Sequence, residues 1–504
     1  MKKNYLIKST FIVMLVALIS KVIGLFRDML IASKFGATAE TNAHALALTI
    51  PDTIFVIIGL AISTTFLPML SKVRAENGRE EMNKFANNVI NILIIISAFI
   101  FIISMCFPDK IVNLISDSNE ETTHLAVELT RILLINIVFL SVNACFTAIL
   151  QVNEDFIVPS LLGLFFNLPM ILYMIFIKDY NIYGLAVTNV IGNILRILVQ
   201  LPSLYKHGYR YKFLIDFKDK RLKKVIILII PVMVASGANS INMMVDKRIA
   251  STFDAPFVLN NAQLLITVVT TLITTSVTNV VYPVLANRIN EGKSKEFISI
   301  LSKSVIYLSL LLIPITVGLL YYGFDVVKLI YCRGNYTSQN AYQTSIILFG
   351  YSFGLFFTGI RDLLNSTLFS MGCTKITAKN GCIGVAINII FSIVLSKYFG
   401  VIGISIASSI AMAVTAVLLL INIVKLQGSI DIKNILTKLF KIVFATIIMA
   451  LFIYVIKNFT VNLNYIMAMM VGVIVAFIIY FVVIKLVKVN EFDEIISYVL
   501  KRRK

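Results

Sequence analysis

The chain predicts an all-α polytopic membrane protein, and three observations predict it: an apolar composition, a series of apolar runs each long enough to cross a bilayer, and an internal repeat that sorts those runs into two sets. Of 504 residues 58% are hydrophobic and 14% charged, and the mean hydropathy is +0.90. A soluble globule cannot cover that much apolar surface.

A spanning helix needs about 20 apolar residues. By that measure fourteen segments follow one another, near 10–35, 42–72, 85–107, 123–152, 156–177, 182–203, 223–250, 258–287, 297–322, 340–372, 375–396, 400–424, 435–457 and 462–487. The first follows "MKK", as a signal peptide would, but it lacks a small-residue cleavage site and runs on through charges, so it reads as a transmembrane helix. An even number of spans puts both termini on one side. If that side is cytoplasmic, the cytoplasmic segments hold about 30 Lys and Arg and the opposite loops about seven, the largest share coming from "KHGYRYKFLIDFKDKRLKK" at 206–224. The expected orientation therefore has both termini on the cytoplasmic side. The net charge of +19 then reports topology and attraction to anionic membrane lipids, not nucleic acid.

Covalent chemistry finds no support. The five cysteines (Cys106, Cys145, Cys332, Cys373, Cys382) have no CxxC spacing and the three histidines (His44, His124, His207) lie far apart, so they read as packing residues rather than a metal site. Neither a phosphate-binding glycine loop nor a nucleophile elbow is present. The expectation is a protein that is not an enzyme and has no cofactor.

The repeat comes from three stretches with nearly one offset. "RDMLIASKFGA" (27–37) matches "VDKRIASTFDA" (245–255) at 218, "PMLSK" (68–72) matches "PVLAN" (283–287) at 215, and "IYGLAVTNV" (182–190) matches "VIGISIASS" (401–409) at 219. Residues 1–205 are read as a first lobe, 206–222 as a basic cytoplasmic linker, 223–428 as a second lobe, and 429–504 as two extra helices and a basic tail. Six helices per repeat keep the orientation, which implies an axis along the membrane normal and a cavity between rocking lobes.

The first segment, "ALISKVIGLFRDMLIASKFG", carries Lys21, Arg27 and Asp28 amid apolar residues. At 100° per residue Ser20, Lys21, Gly24, Arg27 and Asp28 share one sector. In the seventh segment, "SGANSINMMVDKR", Ser236, Asn239, Asn242 and Asp246 do the same. Charges in hydrocarbon cost a few kcal/mol or more, so both stripes are expected to face a water-filled cavity. A structural alternative stands beside this: Arg27 and Asp28 pair as a lock, and Lys21 snorkels to the surface. Arg131, Arg196, Lys247, Arg248 and Arg361 against Glu128, Asp246 and Asp362 leave the membrane segments with an excess of cations, which suits phosphate or pyrophosphate held by an Arg fork and a Lys point charge. Asp246 with Asn239 and Asn242 also forms a candidate cation site.

The stretch "SKVIGLFRDMLIASKFGATAETNAHALALTIPDTIFVIIGLAISTTFLPMLSKV" (20–73) resembles the opening of the MurJ/MviN lipid II flippases of the multidrug/oligosaccharidyl-lipid/polysaccharide (MOP) exporter superfamily, with fainter echoes at "INMMVDKRIAS" (241–251) and "VVYPVLANRI" (280–289). The resemblance implies a MATE-like fold, translocation of an undecaprenyl-pyrophosphate-linked peptidoglycan precursor to the outer leaflet, and a groove for the polyprenyl tail beside the last two helices. Arg27 and Asp28 match the family's Arg-Asp pair, and Lys21 replaces an arginine often seen there. Asn42 stands where many members have Asp, Leu264 lies near the place of an arginine, and "IPDTIFVIIGLA" lacks the basic and acidic residues of some members. Lys247 and Arg248 are the candidates to restore positive charge. The expected partner is a lipid-linked glycan pyrophosphate, with a sodium or proton gradient or the membrane potential as driving force. Other readings are a flippase for another polyprenyl-linked glycan, a cation-coupled drug exporter, and a scaffold that recruits cell-wall synthases.

Overall fold

In the computed structural model the described residues are 2–428, 431–460 and 463–501. Among them the helices run in order α1 (Lys2–Phe35), α2 (Ala39–Ala61), α3 (Leu67–Cys106), α4 (Pro108–Ile115), α5 (Glu120–Leu133), α6 (Asn136–Val152), α7 (Ile157–Phe176), α8 (Ile182–Lys206), α9 (Lys220–Ser251), α10 (Pro256–Thr270), α11 (Ser276–Asn290), α12 (Ser294–Tyr331), α13 (Ser338–Ser370), α14 (Thr374–Phe399), α15 (Ile402–Gln427), α16 (Ile432–Phe459), α17 (Tyr465–Leu486) and α18 (Asn490–Lys501). A π-helical turn joins α2 to α3 (Ile62–Phe66) and another joins α10 to α11 (Thr271–Thr275). Ten helical stretches among the described residues are long and apolar enough to cross a membrane, and α5 with α6, bent by 42°, adds one more.

Each of the fourteen expected segments falls on helix. The second and third share one continuous stretch of 68 residues, Ala39–Cys106, which at 1.5 Å per residue is about 100 Å long and must hold two spans. It breaks at Gly78 (φ 83°, ψ −179°), a backbone conformation that glycine adopts without steric cost. The fourth expected segment is the bent pair α5 and α6. The short helices α4 and α18 are amphipathic ends beyond the apolar runs.

The chain forms two compact units: unit 1 is residues 1–257 with 333–336, and unit 2 is 258–332 with 337–504. Helix α9 thus packs in unit 1, whereas the sequence repeat counts it with the second half. In unit 1, α1 packs on α7, α2 on α5 and α9, and α3 on α6. Phe66, Leu70, Met82, Phe85, Phe146 and Tyr209 fill the core around α3. In unit 2 one core lies among α12, α13 and α15. A second joins α12 to α16, α17 and α18 through Tyr322, Met449, Tyr480 and Phe492, where Tyr480 donates a hydrogen bond to the Leu310 carbonyl at 2.8 Å. Beside it an apolar groove of 380 Å³ runs along Pro314, Tyr322, Phe477 and Phe481.

The repeat has a backbone signature. Gly36 follows α1 with φ 70°, and Asp254, 218 residues later, follows α9 with φ 49°. Both close a helix with a left-handed residue, and Asp is among the few side chains that tolerate that region. At Gly36 a Cβ would also come within 2.7 Å of the Asn335 carbonyl oxygen.

Candidate functional site

Helix α1 presents its charges as an assembled cluster. The Arg27 Nε and Nη2 both donate to one oxygen of Asp28, Oδ1, at 2.9 and 2.7 Å. Its remaining nitrogen, Nη1, donates to Asn167 Oδ1 of α7 at 2.9 Å, and Asn167 is itself fixed by donating to the Gly163 carbonyl one turn back at 2.7 Å. The pair is about one-fifth exposed (21% for Arg27, 17% for Asp28). It is therefore neither sealed in a core nor freely solvated.

A second arginine completes the group. Arg196 of α8 stacks on the Phe166 ring at 3.8 Å from its centroid, and Arg27 lies 5.7 Å from the same centroid. Arg196 donates to Asn193 Oδ1 at 3.0 Å, while its buried Nε has no hydrogen-bond partner among the described residues. It also forms part of the wall of a 660 Å³ cavity lined by Phe55, Ser63, Asn143, Thr147 and Gln151. Asp52 of α2, exposed, sits in the electrostatic field of both arginines. Two guanidinium groups, two carboxylates and several amides thus converge inside unit 1. A ring shared by two cations is favourable to each through its π face, and it holds their charges close enough to act on one polyanion.

The other expected site residues distribute differently. Lys21 is exposed on α1, upstream of Arg27. Asn42 is 3% exposed, and both ends of its amide are engaged: Nδ2 donates to the Asp254 carbonyl at 2.7 Å and Oδ1 accepts from the Phe257 N–H at 3.0 Å. It is a strut for the turn between α9 and α10. Lys247 is 5% exposed and donates to the Pro256 carbonyl at 3.0 Å, bracing that same turn. Arg248 lies at the surface, where its Nη1 donates to the Asn113 and Leu114 carbonyls at 3.3 and 3.2 Å. It caps the C-terminal end of α4, the favourable place for a cation. Asp246 is buried and accepts from Asn242 Nδ2 at 3.2 Å, and Asn242 Oδ1 is buried without a hydrogen-bond partner among the described residues. Asn239, one turn earlier, is exposed, and the side chain of Ser236 lies outside the described residues. Of the expected stripe on α9, Asp246 and Asn242 form a pair, and the neighbouring basic residues Lys247 and Arg248 are engaged with backbone carbonyls.

Sequence reasoning missed Asn167, Phe166 and Asp52 and counted Arg196 only within the excess of cations. The available signal was the lone amide in "LFFNLPM" and the lone arginine in "GNILRILVQ". Asn167 stands amid apolar neighbours, and Arg196 is the one charged residue between Ile182 and Tyr205; a polar or charged group within a span demands a partner.

An all-helical bundle of this length, with arginines held inside its first unit, defines a multi-pass membrane transporter. Its fold is that of a MATE transporter of the MOP superfamily solved in an inward-facing conformation (TM-score 0.69, 15% identity, 83% of this chain and 99% of the other). A solved lipid II flippase MurJ in an inward closed conformation matches with TM-score 0.80 and 26% identity over 97% of this chain and 99% of the other. Curated relatives include the lipid II flippase MurJ of Thermosipho africanus, 29% identical over 90% of this chain and 92% of its own length, and a probable lipid II flippase MurJ of Buchnera aphidicola subsp. Baizongia pistaciae, 24% identical over 91% of each. The family model described as lipid II flippase MurJ matches residues 31–479. The chain belongs to that family.

Proposed function

We propose that the protein carries lipid II, an undecaprenyl-pyrophosphate-linked peptidoglycan precursor, from the cytoplasmic to the outer leaflet by alternating access, without covalent chemistry. The observation that carries this reading is the pair of arginines on Phe166. Arg27 is set by Asp28 and Asn167, and Arg196 faces the cavity with an unpartnered Nε. Guanidinium groups bind the oxygens of a pyrophosphate in a directed way, and the amides and hydroxyl groups along the cavity suit a glycan. Both termini are taken as cytoplasmic, from the distribution of Lys and Arg.

The driving force would be an ion gradient or the membrane potential. Asp246 and Asn242 are the candidate ligands for a coupling cation, because carboxylate and amide oxygens suit one. The test of the cargo is complementation of cells depleted of their essential lipid II flippase. Rescue by the wild-type chain is the expected result, and failure at normal abundance would transfer the proposal to another polyprenyl-linked glycan. Replacing external sodium by choline in the rescued cells distinguishes a sodium-coupled cycle from one driven otherwise.

A further inference from the structure

Between α8 and α9 thirteen residues, 207–219, lie outside helix, yet much of their backbone is held by side chains of α3. Four asparagines on successive turns of α3 bind its backbone. Asn83 Nδ2 donates to the Gly208 carbonyl at 2.9 Å, and Asn87 donates to the Arg210 carbonyl at 3.1 Å and accepts from the Lys212 N–H at 3.2 Å. Asn88 donates to the Asp216 carbonyl and accepts from the Asp216 N–H, at 2.9 and 2.8 Å, and Asn91 donates to the Lys212 and Leu214 carbonyls, each at 3.0 Å. The amides do for this strap what a neighbouring strand does for an edge strand. They leave its side chains to be placed by the alternation of an extended chain.

The alternation sorts the residues. The odd positions Tyr209, Tyr211 and Phe213 climb in exposure from 2% through 49% to 77%; Ile215 returns to the core, and Phe217, in the turn before α9, is 71% exposed. The row begins in the core and emerges into the surroundings as bare phenyl rings. Even positions hold Arg210, Lys212 and Lys218, and residues 206–224 carry eight Lys or Arg against two Asp. One of those acids, Asp219, is already paired with Arg221 at 2.9 Å.

Depth along the bilayer follows from α3. Asn91 precedes Ile95, Ile96 and Phe99, which are 45%, 46% and 62% exposed and belong to an apolar span, so they face lipid. Four residues of helix amount to about 6 Å. The asparagines that hold the strap, Asn83 to Asn91, straddle the start of the third apolar segment (85–107), so the strap lies at the boundary between headgroups and hydrocarbon. Exposed aromatic rings with interleaved cations at that depth are the features of an interfacial anchor. We propose that residues 209–218 form a membrane-surface anchor that binds anionic phospholipid headgroups through Arg210, Lys212 and Lys218 and inserts Phe213 and Phe217 at the acyl boundary, with the asparagine ladder of α3 as its rigid backing.

The chain has no tryptophan, so Phe213→Trp and Phe217→Trp each place a single reporter, and Phe99→Trp serves as a lipid-facing control. The full-length variants are reconstituted into vesicles of phosphatidylcholine, with or without phosphatidylglycerol. In anionic vesicles both strap tryptophans should emit at shorter wavelength than in water, lose most of their emission to brominated acyl chains, and resist aqueous iodide. Quenching by brominated lipid should weaken in neutral vesicles, at high salt, and when Arg210, Lys212 and Lys218 are changed to Gln. If both tryptophans are quenched by iodide and ignore brominated lipid while the Phe99→Trp control is quenched, the strap faces water or a soluble partner and the proposal is overturned. Equal quenching in neutral and anionic vesicles would overturn its assignment to anionic headgroups.

Discussion

Two Arg-Asp neighbours, one in each unit, share a geometry and differ in what surrounds them. In α1 the Arg27 Nε and Nη2 reach Asp28 Oδ1 at 2.9 and 2.7 Å, and in α13 the Arg361 Nε and Nη2 reach Asp362 Oδ1 at 3.0 and 2.6 Å. The third guanidinium nitrogen separates them. That of Arg27 donates to an amide oxygen on Asn167 and sits near a ring shared with Arg196, whereas that of Arg361 meets the Met412 sulfur, a weak acceptor. An adjacent Arg-Asp pair is thus a local unit that this chain uses twice. The second arginine, the orienting amide and the cavity distinguish the one in α1.

The comparison breaks most sharply at Arg27. Arg27→Ala should abolish flipping, measured as loss of rescue in flippase-depleted cells and loss of lipid II exposed on the outer leaflet, at unchanged protein abundance. Arg27→Lys should keep part of the activity, because a point charge replaces the planar fork. Full activity in Arg27→Ala would reduce the α1 pair to the status of the α13 pair. A smaller effect is expected at Asn167: Asn167→Leu removes one hydrogen bond to a charged group and should slow flipping about tenfold, with normal insertion. If it matches the null phenotype of Arg27→Ala, Asn167 contributes more than orientation.

Arg361→Ala is the matching change in unit 2 and should leave flipping within about twofold of wild type, as expected for a site away from binding or buried networks. A loss equal to that of Arg27→Ala would erase the distinction. The smallest effect concerns an ion pair between α12 and α18 whose carboxylate, Glu494, lies beyond the last apolar segment. Lys303 donates to Glu494 Oε1 at 2.8 Å and Tyr307 donates to Oε2 at 2.7 Å, tying α18 to α12. The Lys303 bond, then the Tyr307 bond, hold the Glu494 carboxyl below its ordinary range. A lowered carboxyl stabilises docking above the ordinary glutamate pKa and loses that contribution as pH falls through the lowered value. The protection of α18 amides, corrected for the pH dependence of intrinsic exchange, should accordingly fall on acidification below the usual glutamate range, and Glu494→Gln should remove that fall in protection.

Much of the fold was legible because lipid imposes a simple rule on sequence: every one of the fourteen apolar runs lies on helix, and the 218-residue offset reappears as two left-handed residues, Gly36 and Asp254. What stayed hidden are the features set by neighbours. The break at Gly78 inside one long helix and the bend between α5 and α6 are packing outcomes with little mark in composition. At the site, Arg27 and Asp28 were readable as charges in an apolar helix, but Asn167 is 140 residues away in sequence, and nothing local announces that it orients Arg27. Beside Asp246 the same limit holds: Lys247 and Arg248 were readable as charges at the end of a span, but the carbonyls that engage them, at the turn of Pro256 and the end of α4, are supplied by neighbours.

Adjacent residues on a helix do not face each other, and this has a consequence for Arg27 and Asp28. The guanidinium cannot form the two parallel bonds of a fork on a fork, so two of its N–H groups crowd onto one carboxylate oxygen. The match is incomplete, but it is tethered, and a tethered group acts at an effective concentration of about millimolar or more. Asp28 is in effect a built-in competitor. Chloride or free phosphate must displace a rival that never diffuses away, whereas a pyrophosphate joined to a lipid and a glycan arrives with binding energy from its other parts. The arrangement sets a threshold that small anions fail to cross, and Asp28→Asn should lower it, so that millimolar inorganic phosphate inhibits flipping in the variant and leaves the wild-type chain unaffected.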